Sequence, residues 1–409
     1  MAKRTPNPAP IHGETTPRFA AVREAFSRNF SEREELGAAC AVYHRGEKVV
    51  DLWGGYSDLA RRRPWEQDTL VLVFSTTKGM AAMALAVAHS QGLLEYDAPV
   101  ARYWPEFAQN GKERVTVRQL LSHQAGIPAI APPLDVATLA DLDRLAVLLA
   151  RQRPEWIPGT RHGYHGLALG CYEGELLRRV DPRRRSLGQF FQDEVAGPLG
   201  IEFYIGVPKN VPDARIAEIK EYSPLRLLLH LTEMPWPFVK ALLTPGSLTV
   251  RTARVHGIPT PAIAGSPSLR SIEMPAANGI GQVRAIARAY GAFASGGREL
   301  GLKPETLAAL TAPAQPPSEG MLDTVLHVET SYSLGYLRPF PKLRFGGARA
   351  FGTPGYGGSF GFADPDAELG FAYAPNRCGY HLWDDPRERA LRDAVYCCIG
   401  AAPRSLPLQ

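Results

Sequence analysis

Strand-forming stretches lie at both ends of this 409-residue sequence, and mainly helical sequence lies between them. Gly37 to Tyr43 and Lys48 to Trp53 predict two strands joined as a hairpin by His44-Arg45-Gly46-Glu47. Ser333 to Leu337, Arg349 to Thr353, Gly358 to Asp364 and Leu369 to Ala374 predict a meander near the other end. Such a chain has one economical arrangement. The two ends meet in a single antiparallel sheet, helices flank it, and a mostly helical insertion covers one edge. The expected class is therefore α/β in the α+β sense. The expected division is a loose arm over 1–18, a sheet domain from 19–95 and 276–409, and a mostly helical domain over 96–275. A cleft between the two is where a site would form.

The helical signals are local. Phe19 to Phe30 has an amphipathic pattern, and Thr116 can cap a helix running through His123 to Gly126. Leu139 to Gln152, Gly166 to Val180, Ser186 to Ala196 and Asn278 to Ser295 predict further helices. Ser223 followed by Pro224 predicts another helix start. Asp385-Pro386 opens a last helix reaching about Cys398. The stretch from Val207 to Pro275 carries the weakest pattern.

Totals exclude several classes. Lysines and arginines exceed carboxylates by five, but they are scattered, and no basic stripe with interleaved aromatics favours nucleic acid. Five cysteines fit no zinc or redox spacing, and Cys40 and Cys171 lie in apolar contexts as core residues. Met1 to Arg18 is polar and Pro-rich, without a secretory apolar core, and no stretch is long enough to span a membrane. The expected setting is a reducing cytoplasm, and no metal or organic cofactor is called for.

Chemistry concentrates at Val73-Phe74-Ser75-Thr76-Thr77-Lys78-Gly79-Met80. Irregular apolar sequence precedes Ser75. A helix follows it, with Met80, Ala84 and Val87 on one stripe and Gly92 past the end. Ser75 thus sits at a helix start with Lys78 one turn on, on the same face. A serine hydroxyl needs a base to take its proton, and a lysine within reach in a dry site can do so. The Ser75 N–H at the helix start supplies half an oxyanion hole. A third group must carry the proton to the leaving group. Tyr164, in the Gly-flanked turn Arg161-His162-Gly163-Tyr164-His165-Gly166, suits if nearby positive charge assists its ionisation. The second oxyanion donor needs an exposed turn. Phe351-Gly352-Thr353-Pro354-Gly355-Tyr356-Gly357-Gly358 offers one, and since Pro354 has no N–H the candidate donor is Tyr356.

Gly357-Gly358-Ser359-Phe360-Gly361 spells G-x-S-x-G, but turn and strand follow it rather than a helix, so Ser359 is not the expected nucleophile. His162 and His165 lack a metal-site pattern and suggest a local structural role. Trp236, Phe238, Tyr356 and Trp383 could line an acyl pocket or simply sit in the core.

Taken in order, these motifs resemble the serine β-lactamase/penicillin-binding-protein superfamily, and within it the class C-like family VIII carboxylesterases. Ser75-Thr76-Thr77-Lys78 is similar to S-x-x-K, and Leu120-Leu121-Ser122-His123-Gln124-Ala125-Gly126 to the segment that follows it. Tyr164-His165-Gly166 stands where the family has Y-x-N or Y-x-S. Thr353-Pro354-Gly355 stands where it has K-T-G or H-x-G. The resemblance implies an antiparallel sheet with flanking helices and an acyl-enzyme on Ser75. It implies a catalytic set of Ser75, Lys78 and Tyr164, and oxyanion donors at Ser75 and Tyr356. Substrate contacts are then expected from Thr353, Gly355, Gly357, His165, Trp236, Phe238 and Trp383. Two departures narrow the substrate. Gly166 removes a polar side chain, and Thr353 removes a cation that would receive an anionic substrate. A small neutral ester, or an amide, is expected. Transfer of the acyl group to an alcohol or amine stays open, as does a sensor that acylates without turnover. Oligomeric state is not legible.

Overall fold

The computed structural model describes residues 10–222, 230–258 and 260–400. Its centre is one antiparallel sheet of eight strands. They are β1 (Ile11–Thr15), β2 (Gly37–His44), β3 (Glu47–Gly55), β4 (Tyr332–Ser333), β5 (Tyr336–Leu337), β6 (Phe351–Pro354), β7 (Phe360–Asp364) and β8 (Leu369–Pro375). The spatial order is β1-β3-β2-β8-β7-β6-β5-β4. The two ends of the chain join where β2 pairs with β8, from Ala38 opposite Pro375 to His44 opposite Leu369.

Alternation in β2 and β8 assigns the faces. Cys40, Val42, Phe371 and Tyr373 point into one apolar layer under α1 (Ala20–Glu32) and α5 (Pro386–Cys398). Ala41, Ala372 and Ala374 point to the opposite layer, under α4 (Val283–Ala294) and α2 (Thr76–Ser90). The small residues there let α4 come close: a Cβ on Gly370 would lie 2.1 Å from the Gly291 nitrogen. Each large apolar side chain buried in these layers contributes about 1.5–3 kcal/mol. In α2 every residue but His89 is buried, as expected of a helix apolar all round at the centre of a fold.

Several expectations are corrected. Part of the supposed loose arm is the edge strand β1, paired with β3 from Ile11 opposite Gly54 to Thr15 opposite Val50. Ser333 to Leu337 is two short strands, β4 and β5, because Leu334 and Gly335 form a left-handed turn at φ 51° and 88°. The Asn278 helix begins only at Val283. Ile280–Gly281 instead pairs with both Val71–Leu72 and Phe203–Tyr204, and those hydrogen bonds hold the backbone extended. Leu139 to Gln152 is broken at Asp141, whose carboxylate caps a new helix over Leu142–Ala150. Ser186 does cap its helix through a capping box with Gln189, but the last turn, Gln192–Ala196, widens to a π turn. The Thr116 cap is present, likewise as a capping box with Gln119, but that helix stops at Leu121. The Gly166 helix is α3 (Ala168–Val180). The helix expected at Ser223 lies outside the described residues. Among the described residues no helix is long and apolar enough to cross a membrane.

Candidate active site

The site begins where Val71–Leu72 gives way to α2. The Val73 N–H donates to the Gly279 carbonyl at 3.0 Å, and the Gly279 N–H donates to Thr77 Oγ1 at 2.8 Å. Between these anchors Phe74 takes φ 48°, a left-handed conformation costing roughly 1–2 kcal/mol for a non-glycine residue. This sharp bend delivers Ser75 to the first position before the helix. Lys78 is 1% exposed. Its Nζ donates to Ser75 Oγ at 3.1 Å and to the Ala276 carbonyl at 2.9 Å. The same Nζ lies 4.8 Å from the centre of the Tyr164 ring. Lys78 Nζ is thus held on three sides, by a hydroxyl, a carbonyl and an aromatic ring.

Tyr164 reaches this point on a loop fixed by Asp323. The Asp323 carboxylate accepts the Tyr164 N–H (3.0 Å), the Val325 and Leu326 N–H groups (both 2.7 Å) and the Tyr332 hydroxyl (2.8 Å). Beside it, the Gly163 N–H donates to the His123 carbonyl at 3.1 Å, and the His165 N–H donates to His123 Nδ1 at 3.0 Å. His123 Nδ1 is therefore an acceptor, which requires an uncharged ring. Burial agrees: it pushes His123 well below the usual histidine range and His165 down to about 3. His162 Nε2–H donates to the Met321 carbonyl at 2.9 Å.

The third component is the turn between β6 and β7. Gly355 packs so closely on the head of α2 that a Cβ there would lie 2.4 Å from the Val73 carbonyl oxygen. Ser359 pins the contact, with Oγ donating to the Val73 carbonyl at 2.9 Å and lying 3.0 Å from Thr76 Oγ1. Ser359 is buried, and strand β7 rather than a helix follows it, so the G-x-S-x-G sequence braces the turn. Tyr356 meets Phe74 edge to face at 5.2 Å between ring centres. The N–H groups of Ser75 and Tyr356 have no partner among the described residues.

Apolar walls complete the cleft. Tyr164, Phe238, Leu248, Leu382 and Trp383 pack around Val325, Leu326 and Val328. Leu382 and Trp383 also close a recess against Pro354, Gly355 and Gly358. On the far side of Phe74, Tyr222 meets Tyr356 at 5.4 Å.

Ser75, Lys78 and Tyr164 are thus brought together, with the Gly355–Gly357 turn and Tyr356 beside them and Phe238 and Trp383 nearby. Three expected substrate contacts fall elsewhere. Trp236 opens a surface helix and is 66% exposed. The Thr353 side chain points under the sheet, where its buried Oγ1 faces Gly79 of α2. His165 is fully buried, its Nδ1–H donating to the Gly163 carbonyl at 2.7 Å. Sequence reading missed Asp323, Ala276 and Arg387. The Asp323-Thr324 pair has the form of a side-chain-capped turn, but nothing local links it to Tyr164, 159 positions away.

Comparison with known proteins bears on the family and the fold. The sequence pattern of the Beta-lactamase family matches residues 23–395. The esterase/beta-lactamase LipL of Mycobacterium tuberculosis (strain ATCC 25618 / H37Rv) is 34% identical over 379 residues, 90% of this chain and 83% of that protein. The crystal structure of a family VIII carboxylesterase superposes with a TM-score of 0.84 at 40% identity, over 95% of this chain and all of that one (100%). A penicillin-binding protein homologue from Caulobacter crescentus gives 0.81 at 38% identity, over 95% of this chain and 100% of that one. The chain belongs to the beta-lactamase family.

Proposed function

We propose that the protein is a serine hydrolase acting on carboxylic esters through an acyl-enzyme on Ser75. The observation that carries this reading is the buried Lys78 Nζ, 3.1 Å from Ser75 Oγ and 4.8 Å from the centre of the Tyr164 ring. Ser75 Oγ attacks the carbonyl carbon while the Lys78–Tyr164 pair takes its proton. The N–H groups of Ser75 and Tyr356 receive the oxyanion. Tyr164 hands the proton to the leaving alcohol as the carbon–oxygen bond breaks. Water then attacks the Ser75 ester, gives its proton to the same pair, and the pair passes that proton to Ser75 Oγ as the acid leaves. No step calls on a metal or an organic cofactor.

The name of the family VIII carboxylesterase supports an ester substrate, and that of LipL names esterase and β-lactamase together. The apolar walls leave acyl transfer to an added alcohol or amine as the second reading, measured by how the acyl group partitions between acceptor and water.

The test is Ser75→Ala. It should lose p-nitrophenyl ester hydrolysis by at least about 10³-fold and all covalent labelling by a fluorophosphonate. The native protein should cleave nitrocefin far more slowly than the ester. Retained ester hydrolysis in Ser75→Ala would refute the assignment.

A further inference from the structure

The turn carrying the Tyr356 N–H is built on a guanidinium more than thirty positions further along. Arg387 is buried at the start of α5 and uses every N–H it has. Nε and Nη2 donate to the Asp385 carboxylate at 3.0 and 2.9 Å, and Nη1 donates to Glu35 at 3.0 Å and to the Arg377 carbonyl at 2.8 Å. The remaining Nη2–H donates to the Gly357 carbonyl at 3.1 Å. Gly357 C=O belongs to the same peptide unit as the Gly358 N–H. That N–H donates to the Gly355 carbonyl at 3.2 Å, and the Gly355 carbonyl belongs to the same peptide unit as the Tyr356 N–H.

In a trans peptide the C=O and N–H point in opposite directions, and charge drawn toward the oxygen leaves the N–H more positive. Hydrogen bonds in such a chain polarise one another, more so in a low-dielectric interior. The conformation is specific to this purpose. Gly357 and Gly358 take φ 82° and 108°, and a Cβ on Gly358 would lie 2.7 Å from Asp385 Oδ2. The carboxylate that clamps Arg387 therefore also requires glycine at the relay's middle link.

We propose that Arg387 is a positioning residue for the oxyanion hole, polarising the Tyr356 N–H through two hydrogen-bonded peptide units, Gly357–Gly358 and Gly355–Tyr356. The inference rests on the reading of Ser75 as nucleophile and Tyr356 as oxyanion donor. Arg387 neither touches substrate nor changes protonation. It strengthens one donor at the moment the carbonyl oxygen becomes negative.

The test separates this role from simple bracing. Active sites in native protein, Arg387→Lys and Arg387→Met are counted by fluorophosphonate labelling of Ser75, and ester turnover is expressed per labelled site. The relay predicts a loss of about five- to thirtyfold in kcat per site, with KM within threefold, since a full oxyanion donor is worth about 10²–10³. The affinity for an alkylboronic acid, whose adduct on serine is a tetrahedral anion, should fall by the same factor. A brace alone would lower the number of labelled sites and leave kcat per site and boronate affinity unchanged, which overturns the proposal. Should the Arg387 variants not fold, the Gly358 N–H is replaced by an ester oxygen, which keeps the Arg387 contacts and cuts the relay. A roughly tenfold loss per site supports the relay, and an unchanged rate overturns it. No labelling of native protein would instead refute the Ser75 reading, and the relay with it.

Discussion

The Tyr164 loop and the glycine turn flank the same serine, and they are held in place by different physics. Around Tyr164 the supports are uncharged rings and one carboxylate. His123, His165 and Tyr332 pack at tilted and edge-on angles near the loop, and Asp323 gathers five donors. Around Tyr356 the supports are ions, with Arg387 between Asp385 and Glu35 and a second set in which Arg392 pairs with Glu388 at 2.9 Å. The difference teaches how each arm fails. Neutral histidines must stay neutral, so acid threatens the first arm. A buried ion cluster fails when one partner is removed and another charge is left unpaired.

The largest effect should come from the one residue that both arms converge on. Lys78→Met keeps the stem's volume and removes the amino group between Ser75 and Tyr164. It should lower kcat for an ester by about 10³-fold or more, with KM little changed, because binding walls and oxyanion donors remain. A loss under about tenfold would mean that Tyr164 works without it and that the arms are independent.

The next effect sharpens the contrast. Asp323→Ala removes an acceptor from five donors, and a buried donor costs about 1–3 kcal/mol when unsatisfied. It should cost roughly 3–5 kcal/mol of stability in total, since water will reach some of them. It should also lower kcat per folded site by about 10- to 100-fold through a misplaced Tyr164. Fluorophosphonate labelling of Ser75, which depends more on the oxyanion donors, should fall much less. Equal losses in turnover and labelling would erase the distinction between the two arms.

This contrast also explains what the sequence revealed. Ser75 and Lys78 are legible because they are three positions apart at the start of one helix, where spacing alone sets their geometry. The sheet was legible because β2, β3, β7 and β8 are apolar runs of strand length, buried over most of their residues. Tyr164 and Tyr356 could be nominated from glycine-rich turns and from the ordered likeness to known motifs. What holds them could not. Asp323 and Arg387 act across long sequence separations, through backbone groups that carry no side-chain signal. Trp236 and Thr353 misled for a related reason: side-chain chemistry suggested contact, while register and helix placement aimed them elsewhere. The strand at Ile280 misled because its partners, Val71–Leu72 and Phe203–Tyr204, are remote in sequence and each only two residues long.

The smallest effect is a difference in acid sensitivity between the arms. His165 is held down to about 3 by burial, against about 6.5 for the unfolded chain. Between those values the unfolded state binds a proton that the native state refuses. Stability therefore falls as pH drops, by up to about 1.4 kcal/mol per pH unit for that ring, and His123 adds in the same direction. At the glycine turn, Arg387 holds Asp385 below its ordinary range, so its contribution is full above about pH 4 and lost only on further acidification. Glu35 is shifted the other way by burial, so acid relieves rather than harms it. Acid should consequently loosen the Tyr164 loop first. Hydrogen exchange, corrected for the intrinsic pH dependence of the amides, should show protection of residues 162–166 declining from about pH 6.5. Protection of residues 355–360 should hold to about pH 4. His165→Asn should flatten the upper part of that decline, because the asparagine amide can still donate to the Gly163 carbonyl but takes up no proton. Simultaneous loss of protection in both segments would mean that the two arms open as one cooperative unit, and that their separate chemistries do not set separate local stabilities.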